Sequence, residues 1–343
     1  TSEGTTHPVS WKQEFDGGRS FYTNLGHREE SWANPAFLTH VLEGLKWAMN
    51  GGTGSLLTPY ESEFAQQVLI DNLREPMEIA PLPDGRVLMI ERHGSVHLID
   101  PATGSTKIAA EVEVFSEMED GLLGLALDPG FEDNGWIYMY YSAPGDIAEQ
   151  HLSRFHFDGQ AVDLASEAIL LKVPTQRAEC CHAGGSVAFD SKGNLYISTG
   201  DDTNPFASDG FSPSDETPGR SPWDAQGTSA NSRDYRGKIL RIKPQDDGTY
   251  TIPEGNLFAD GVDGHPEIYI MGDRNPFRIS VDQSTDWLYW GEIGPDASDP
   301  KEGRGPAGHD EFNQARAAGF FGWPYFVANN KAYNDFDFAK QLS

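Results

Sequence analysis

The sequence predicts an all-β protein, a β-propeller, with a short α/β remnant at its N-terminus. Three observations lead there. Residues 77–90, 122–141, 187–198 and 279–290 share one design. Each is an apolar strand, a turn rich in Asp, Gly, Asn, Ser or Thr, and an alternating aromatic/aliphatic strand. The turns at Gly85, Gly135 and Gly193 lie 50 and 58 residues apart, close to the roughly 40–50-residue period of propeller blades. The 37 Gly, 22 Pro and 11% aromatic residues suit a turn-rich β chain.

Residues 1–50 do not share that design. Residues 19–23 read as a short strand, and a helix follows with Asn34 as N-cap, Pro35 at its first position and Gly51 beyond its end. Phe37, Leu38, Val41, Leu42, Leu45 and Ala48 form an apolar stripe at helical spacing. One strand and one helix cannot bury a core alone, so the segment reads as the last piece of an α/β domain. Residues 51–62, rich in Gly, Thr, Ser and Pro, read as a linker. The propeller reading covers 63–343, about four blades, with no closing blade before the end of the sequence. Further strands are expected at 95–99, 152–157 and 238–242. The repeat lengthens after the third turn because 201–236 are inserted.

A formal net charge of -28 argues against nucleic acid and anionic membrane surfaces as partners. It leaves many carboxylates for Ca²⁺. No apolar run approaches the roughly 20 residues of a membrane span, and residues 1–20 lack the basic-then-apolar pattern of a signal peptide.

Residues 179–185 read Glu-Cys-Cys-His-Ala-Gly-Gly. Both cysteines of the protein sit side by side, followed by an imidazole and flexible backbone at the mouth of a strand. A site and a surface loop are both open readings. Cys180-Cys181 is either a vicinal disulfide or two packed thiols. Neighbouring Cα atoms about 3.8 Å apart fall below the usual disulfide range, so such a bond would be comparatively easy to reduce. The insert carries Asp201, Asp202, Asp209, Asp215, Glu216, Asp224 and Asp234. It reads as a lid, a Ca²⁺ loop or a solvated loop. The last is preferred because no Asp-x-Asp-x-Asp-Gly run is present. Trp223 is its candidate for stacking on a sugar.

Two stretches of the sequence resemble known families. Residues 18–27, with Asn34-Pro35-Ala36-Phe37 and Gly44-Leu45-Lys46-Trp47-Ala48, resemble the C-terminal end of trehalose-utilisation (ThuA-like) domains. No activity is carried over to His27, which reads as a turn or packing residue. An ordered set then resembles the soluble PQQ-dependent glucose/sorbosone dehydrogenases, which are six-bladed propellers. The set comprises residues 119–131, His182-Ala183-Gly184-Gly185, residues 236–242, Gly272-Asp273-Arg274-Asn275-Pro276 and Gly291-Glu292-Ile293-Gly294-Pro295. It closes with Asp310-Glu311-Phe312-Asn313 and Gly322-Trp323-Pro324.

The resemblance implies oxidation of an aldose at its anomeric carbon, with PQQ and Ca²⁺ as cofactors and a cytochrome c or similar external electron acceptor. It also implies a periplasmic or extracellular location. His182 falls where the family has its general base, a role that suits an imidazole. Arg274 and Asn275 match cofactor-binding residues, and a planar guanidinium recognises oxygen pairs. Gly294 and Pro295 match the residues whose carbonyls ligate Ca²⁺. Glu119 stands where the family has a polar cofactor or substrate residue, often Gln. Cys181 and Ser186 replace residues that are often Asp and Arg in glucose-oxidising members, which leaves the sugar open. The family's later blades supply further cofactor-binding cations, which this sequence does not contain. No Cys-x-x-Cys-His is present, so no haem is expected within it. The alternatives are a Ca²⁺-dependent lactonase-like hydrolase propeller and a non-catalytic carbohydrate-binding propeller.

Overall fold

The computed structural model describes residues 10–15, 18–23, 32–50 and 68–343. His27 and the 51–62 linker lie outside the described residues. Two compact units are present, 1–68 and 69–343.

In the first unit, β1 (Ser10–Phe15) and β2 (Gly18–Thr23) pair antiparallel, and α1 spans Pro35–Asn50. The Asn34 side-chain oxygen accepts the Ala36 N–H at 2.9 Å, the cap that Asn-Pro announces. Strand β1 goes beyond the sequence reading, which found only β2. Its segment is polar by composition, and the pairing with β2 defines it. The helical stripe is partly covered: Phe37 is buried against the edge of Trp32, whereas Leu38 and Leu45 are exposed. Gly44 admits the Phe21 ring, which would lie 2.2 Å from a Cβ there.

The second unit is mostly β, in a propeller-like arrangement of four blades, as the spacing predicts. Blade one is β3 (Pro76–Pro81), β4 (Val87–Glu91), β5 (Ser95–Asp100) and β6 (Ser105–Glu111). Blade two is β7 (Leu122–Leu127), β8 (Trp136–Ser142), β9 (Glu149–Phe157) and β10 (Val162–Pro174). Blade three orders β11 (Gly184–Phe189), β12 (Leu195–Thr199), β13 (Lys238–Pro244) and, beyond the short β14 (Tyr250–Thr251), β15 (Ile268–Met271). Blade four is β16 (Pro276–Val281), β17 (Leu288–Glu292) and β18 (Glu311–Ala315). The short β19 (Gly319–Phe320) adds parallel to β15.

Alternation along the strands builds the core between blades. On β8, Ile137, Met139 and Tyr141 face blade one, while Tyr138 and Tyr140 face blade three. On β12, Leu195 and Ile197 pack toward blade two and Tyr196 toward blade four. On β7, Leu122 and Leu125 share one face despite their odd spacing. An irregularity in the pairing between Leu122 and Gly124 changes the parity. The innermost strands β3, β7, β11 and β16 lie side by side in that order. Gly124 permits the closest approach, because a Cβ there would lie 2.1 Å from the Gly185 carbonyl oxygen. Arg278 of β16 reaches the Met77 carbonyl of β3 at 2.6 Å. The loops leading into β7, β11 and β16 therefore gather at one end.

The insert between β12 and β13 is not a solvated loop. Asp201, Thr203, Ser208, Phe211, Asp215, Ala225, Thr228 and Ser229 are buried. Several of its acids are engaged in turns and ion pairs, such as Asp215 with Arg220 and Asp234 with Arg236, while Asp209 and Glu216 are exposed. Lys238, with no solvent exposure, donates to the carbonyls of Thr228, Ser229 and Arg236 at 2.7–3.0 Å. Burial pushes its ammonium down to about 7.

Candidate active site

His182 enters the site on backbone held from several sides. Its φ is +63°, a left-handed conformation costing a non-glycine residue of order 1–3 kcal/mol. Glu119, in the loop before β7, accepts the N–H of His182 at 2.6 Å and of Ala183 at 3.3 Å. The His182 carbonyl presses on Gly200, where a Cβ would lie 1.8 Å from its oxygen. The imidazole, 4% exposed, places Nδ1 2.6 Å from Asp201 Oδ1. Burial acts to raise the Asp201 carboxyl, but His182, Arg274 and Thr203 outweigh it and hold it below its usual range. An ionised Asp201 only accepts, so Nδ1 carries the proton and Nε2 is left as the basic atom. The other Asp201 oxygen accepts the Trp323 indole N–H at 2.8 Å.

Arg274 and Asn275 lead into β16. Both are buried, and both backbone N–H groups donate to Glu292 Oε1, at 2.5 and 2.9 Å. Burial, and then the Asp273 charge, holds Glu292 well above the carboxylate range. The Arg274 guanidinium donates to the Ile293 carbonyl at 3.0 Å, and its Nε is buried with no hydrogen-bond partner among the described residues. Asn275 Oδ1 accepts the Gly184 N–H at 3.1 Å, which leaves its amino group as a donor. The Arg274 carbonyl accepts the Asp201 N–H at 2.7 Å. The loops before β11 and β16 and the head of the insert thus form one hydrogen-bonded unit.

Gly294 and Pro295 follow β17 and are buried. The Asp310 carboxylate holds the Gly294 N–H at 2.9 Å, and neither residue's carbonyl accepts a hydrogen bond among the described residues. A Cβ on Gly308 would lie 1.5 Å from the Pro295 oxygen.

The predicted residues fall into two neighbouring groups. Glu119, Cys180, Cys181 and His182 line one cavity with Asp202 and Arg236. Arg274, Gly294 and Pro295 line a second with Trp323. Asp201 and Asn275 join the groups from within. Cys180 and Cys181 are disulfide-bonded, with Cα atoms 3.3 Å apart. Trp223, proposed for stacking, has one face taken by the Arg220 guanidinium, 3.6 Å from its ring centroid. Sequence reasoning missed the roles of Asp201 and Trp323. The available signals were an Asp directly after Gly200 and the Gly-Trp-Pro piece.

The donor set suits a planar, oxygen-rich anion and a hard cation. An orphaned buried Arg274 Nε and the Asn275 amino group would face oxygens. The two buried carbonyls match the oxygen ligands that Ca²⁺ prefers. Among the described residues no three His, Cys, Asp or Glu side chains are grouped to hold a metal, and none of the helices is long and apolar enough to cross a membrane.

Residues 73–342 match the glucose/sorbosone dehydrogenase family, and residues 1–48 match trehalose utilisation. The chain is 25% identical over 273 residues to quinoprotein glucose dehydrogenase B of Acinetobacter calcoaceticus, covering 76% of this chain and 52% of that protein. It is 26% identical over 253 residues to the Hedgehog-interacting protein of Homo sapiens, covering 64% and 32%. Among solved structures, it superposes on the PQQ-bound aldose sugar dehydrogenase of Streptomyces coelicolor with a TM-score of 0.58 at 25% identity, covering 77% and 66%. The chain spans about half to three-fifths of the length of the bacterial relatives it matches. Its fold is that of the soluble sugar-dehydrogenase propellers. The chain belongs to the glucose/sorbosone dehydrogenase family.

Proposed function

We propose that the full-length protein oxidises an aldose or related sugar at its anomeric carbon, using PQQ and Ca²⁺, and passes electrons to an external acceptor such as a cytochrome c. The observation that carries this reading is the buried His182–Asp201 pair, in which Asp201 takes Nδ1 and His182 is one of the residues lining a cavity. His182 Nε2 takes the anomeric hydroxyl proton. Asp201 keeps the ring in one tautomer and stabilises the imidazolium. Arg274 and Asn275 would bind cofactor oxygens, and the Gly294 and Pro295 carbonyls would hold Ca²⁺. When bound, PQQ with Ca²⁺ supplies the acceptor for the hydride leaving carbon. Glu119 fixes the backbone of the base. The reading places the protein in the periplasm or outside the cell.

Reconstitution of the full-length protein with PQQ and Ca²⁺, followed by dye reduction across a sugar panel, tests this. Activity abolished by His182→Ala supports it, and absence of PQQ binding refutes it. A second reading is a binding propeller without catalysis. It draws on the similarity to the Hedgehog-interacting protein and predicts sugar or protein binding with no dye reduction.

A further inference from the structure

We propose that the Cys180–Cys181 disulfide is a positioning device for His182, and that its reduction by a dithiol uncouples the imidazole from Asp201. The inference rests on the sugar-oxidation reading for its kinetic consequence only. Cys181 is the residue directly before His182, and the disulfide closes a small ring through the Cys180–Cys181 peptide. That ring restricts ψ of Cys180 and φ of Cys181, the torsions that set the direction in which the chain leaves the pair toward His182. The other restraints act on His182 and the residue after it: Glu119 on the N–H groups of His182 and Ala183, and Gly200 against the His182 carbonyl. The φ of +63° is a conformation a histidine leaves readily when unrestrained. With the ring closed, the imidazole meets Asp201 from a fixed direction. With it open, the chain regains rotation about those two bonds, and Glu119, Asp201 and Gly200 are left to hold the left-handed His182.

The pair is also placed to be reached. Both cysteines are half-buried, and both line the cavity that contains Glu119 and His182. A small dithiol entering there transfers two electrons and two protons to the two Sγ atoms. The S–S bond breaks, two thiols form, and the reagent closes into its own cyclic disulfide.

The test uses the full-length protein with PQQ and Ca²⁺, reduced with dithiothreitol and freed of reagent, with mass measurement to confirm the two added hydrogens. The first readout needs no activity: the proton NMR signal of the His182 Nδ1–H bonded to Asp201, assigned by its absence from Asp201→Asn. The expected result is loss of that signal on reduction and recovery on reoxidation. In parallel kcat falls about tenfold or more, with sugar KM and PQQ stoichiometry held. Cys180→Ser/Cys181→Ser should reproduce the reduced state and ignore dithiol. An unchanged signal and kcat in fully reduced protein would overturn the proposal, as would loss of PQQ binding on reduction, which marks a general structural role. If the oxidised protein oxidises no sugar, the functional reading falls and the NMR signal alone decides the positioning role.

Discussion

His182 Nδ1 lies 2.6 Å from a carboxylate of Asp201 that has no solvent exposure, and Trp323 holds the other oxygen of that carboxylate. Asp201→Asn keeps the shape and removes the charge that fixes the tautomer. Its kcat should fall on the order of 10²–10⁴-fold, with little change in far-ultraviolet circular dichroism. Wild-type kcat in that variant would remove Asp201 from the account.

Gly200 should tolerate no side chain. A Cβ there would lie 1.8 Å from the His182 oxygen and 3.0 Å from its Cβ. Gly200→Ala should cost about 1–3 kcal/mol of stability and most of the activity, read by thermal melting and by kcat. The structurally remote Gly193→Ala serves as a control, because nothing lies within 4 Å of its Cβ position. It should lose stability through its positive φ alone and keep its kcat.

The blades were legible because alternation was strong where burial is two-sided. Tyr138 and Tyr140 against Ile137 and Met139 is one case. His182, Arg274 and Asn275 stand out in the sequence through ordered pieces and their chemistry, and the loops that carry them are hydrogen-bonded to one another. Asp201 was not: it is one of seven insert carboxylates, and its partner lies 19 residues upstream across a loop. Trp323 lies 122 residues from Asp201 in sequence, and only the packing of blades brings them together. Glu119 serves two backbone N–H groups, a task that residue type does not advertise. The insert misled because acids engaged in buried turns have the same composition as acids in water.

Burial raises Asp202 to about 7, against the opposing charge of Arg236 and the Gln176 N–H. The folded protein therefore binds this proton more tightly than the unfolded chain. The stability it contributes is full below about pH 4 and is lost as pH rises through about 7. Asp202→Asn should flatten the fall in melting temperature between pH 5 and pH 8. Asn also tolerates the left-handed φ of 53° at this position. An unaltered slope would contradict the assignment.

Lys238 fastens the insert to β13 through three carbonyls. Lys238→Met keeps the apolar stem and strands those acceptors, at a cost of about 1–3 kcal/mol. Amide exchange across 228–236 should accelerate first, ahead of β12 and β13. Uniform acceleration throughout blade three would show that the lysine supports the blade rather than the insert.

The most direct test of the central claim is an anaerobic addition of aldose to the full-length protein loaded with PQQ and Ca²⁺, followed by absorbance. The account predicts one sugar oxidised per bound PQQ in the wild type, and a rate lower by on the order of a hundredfold or more in His182→Ala. Bound PQQ that stays unchanged with every sugar in the wild type, or an equal rate in the variant, would contradict it.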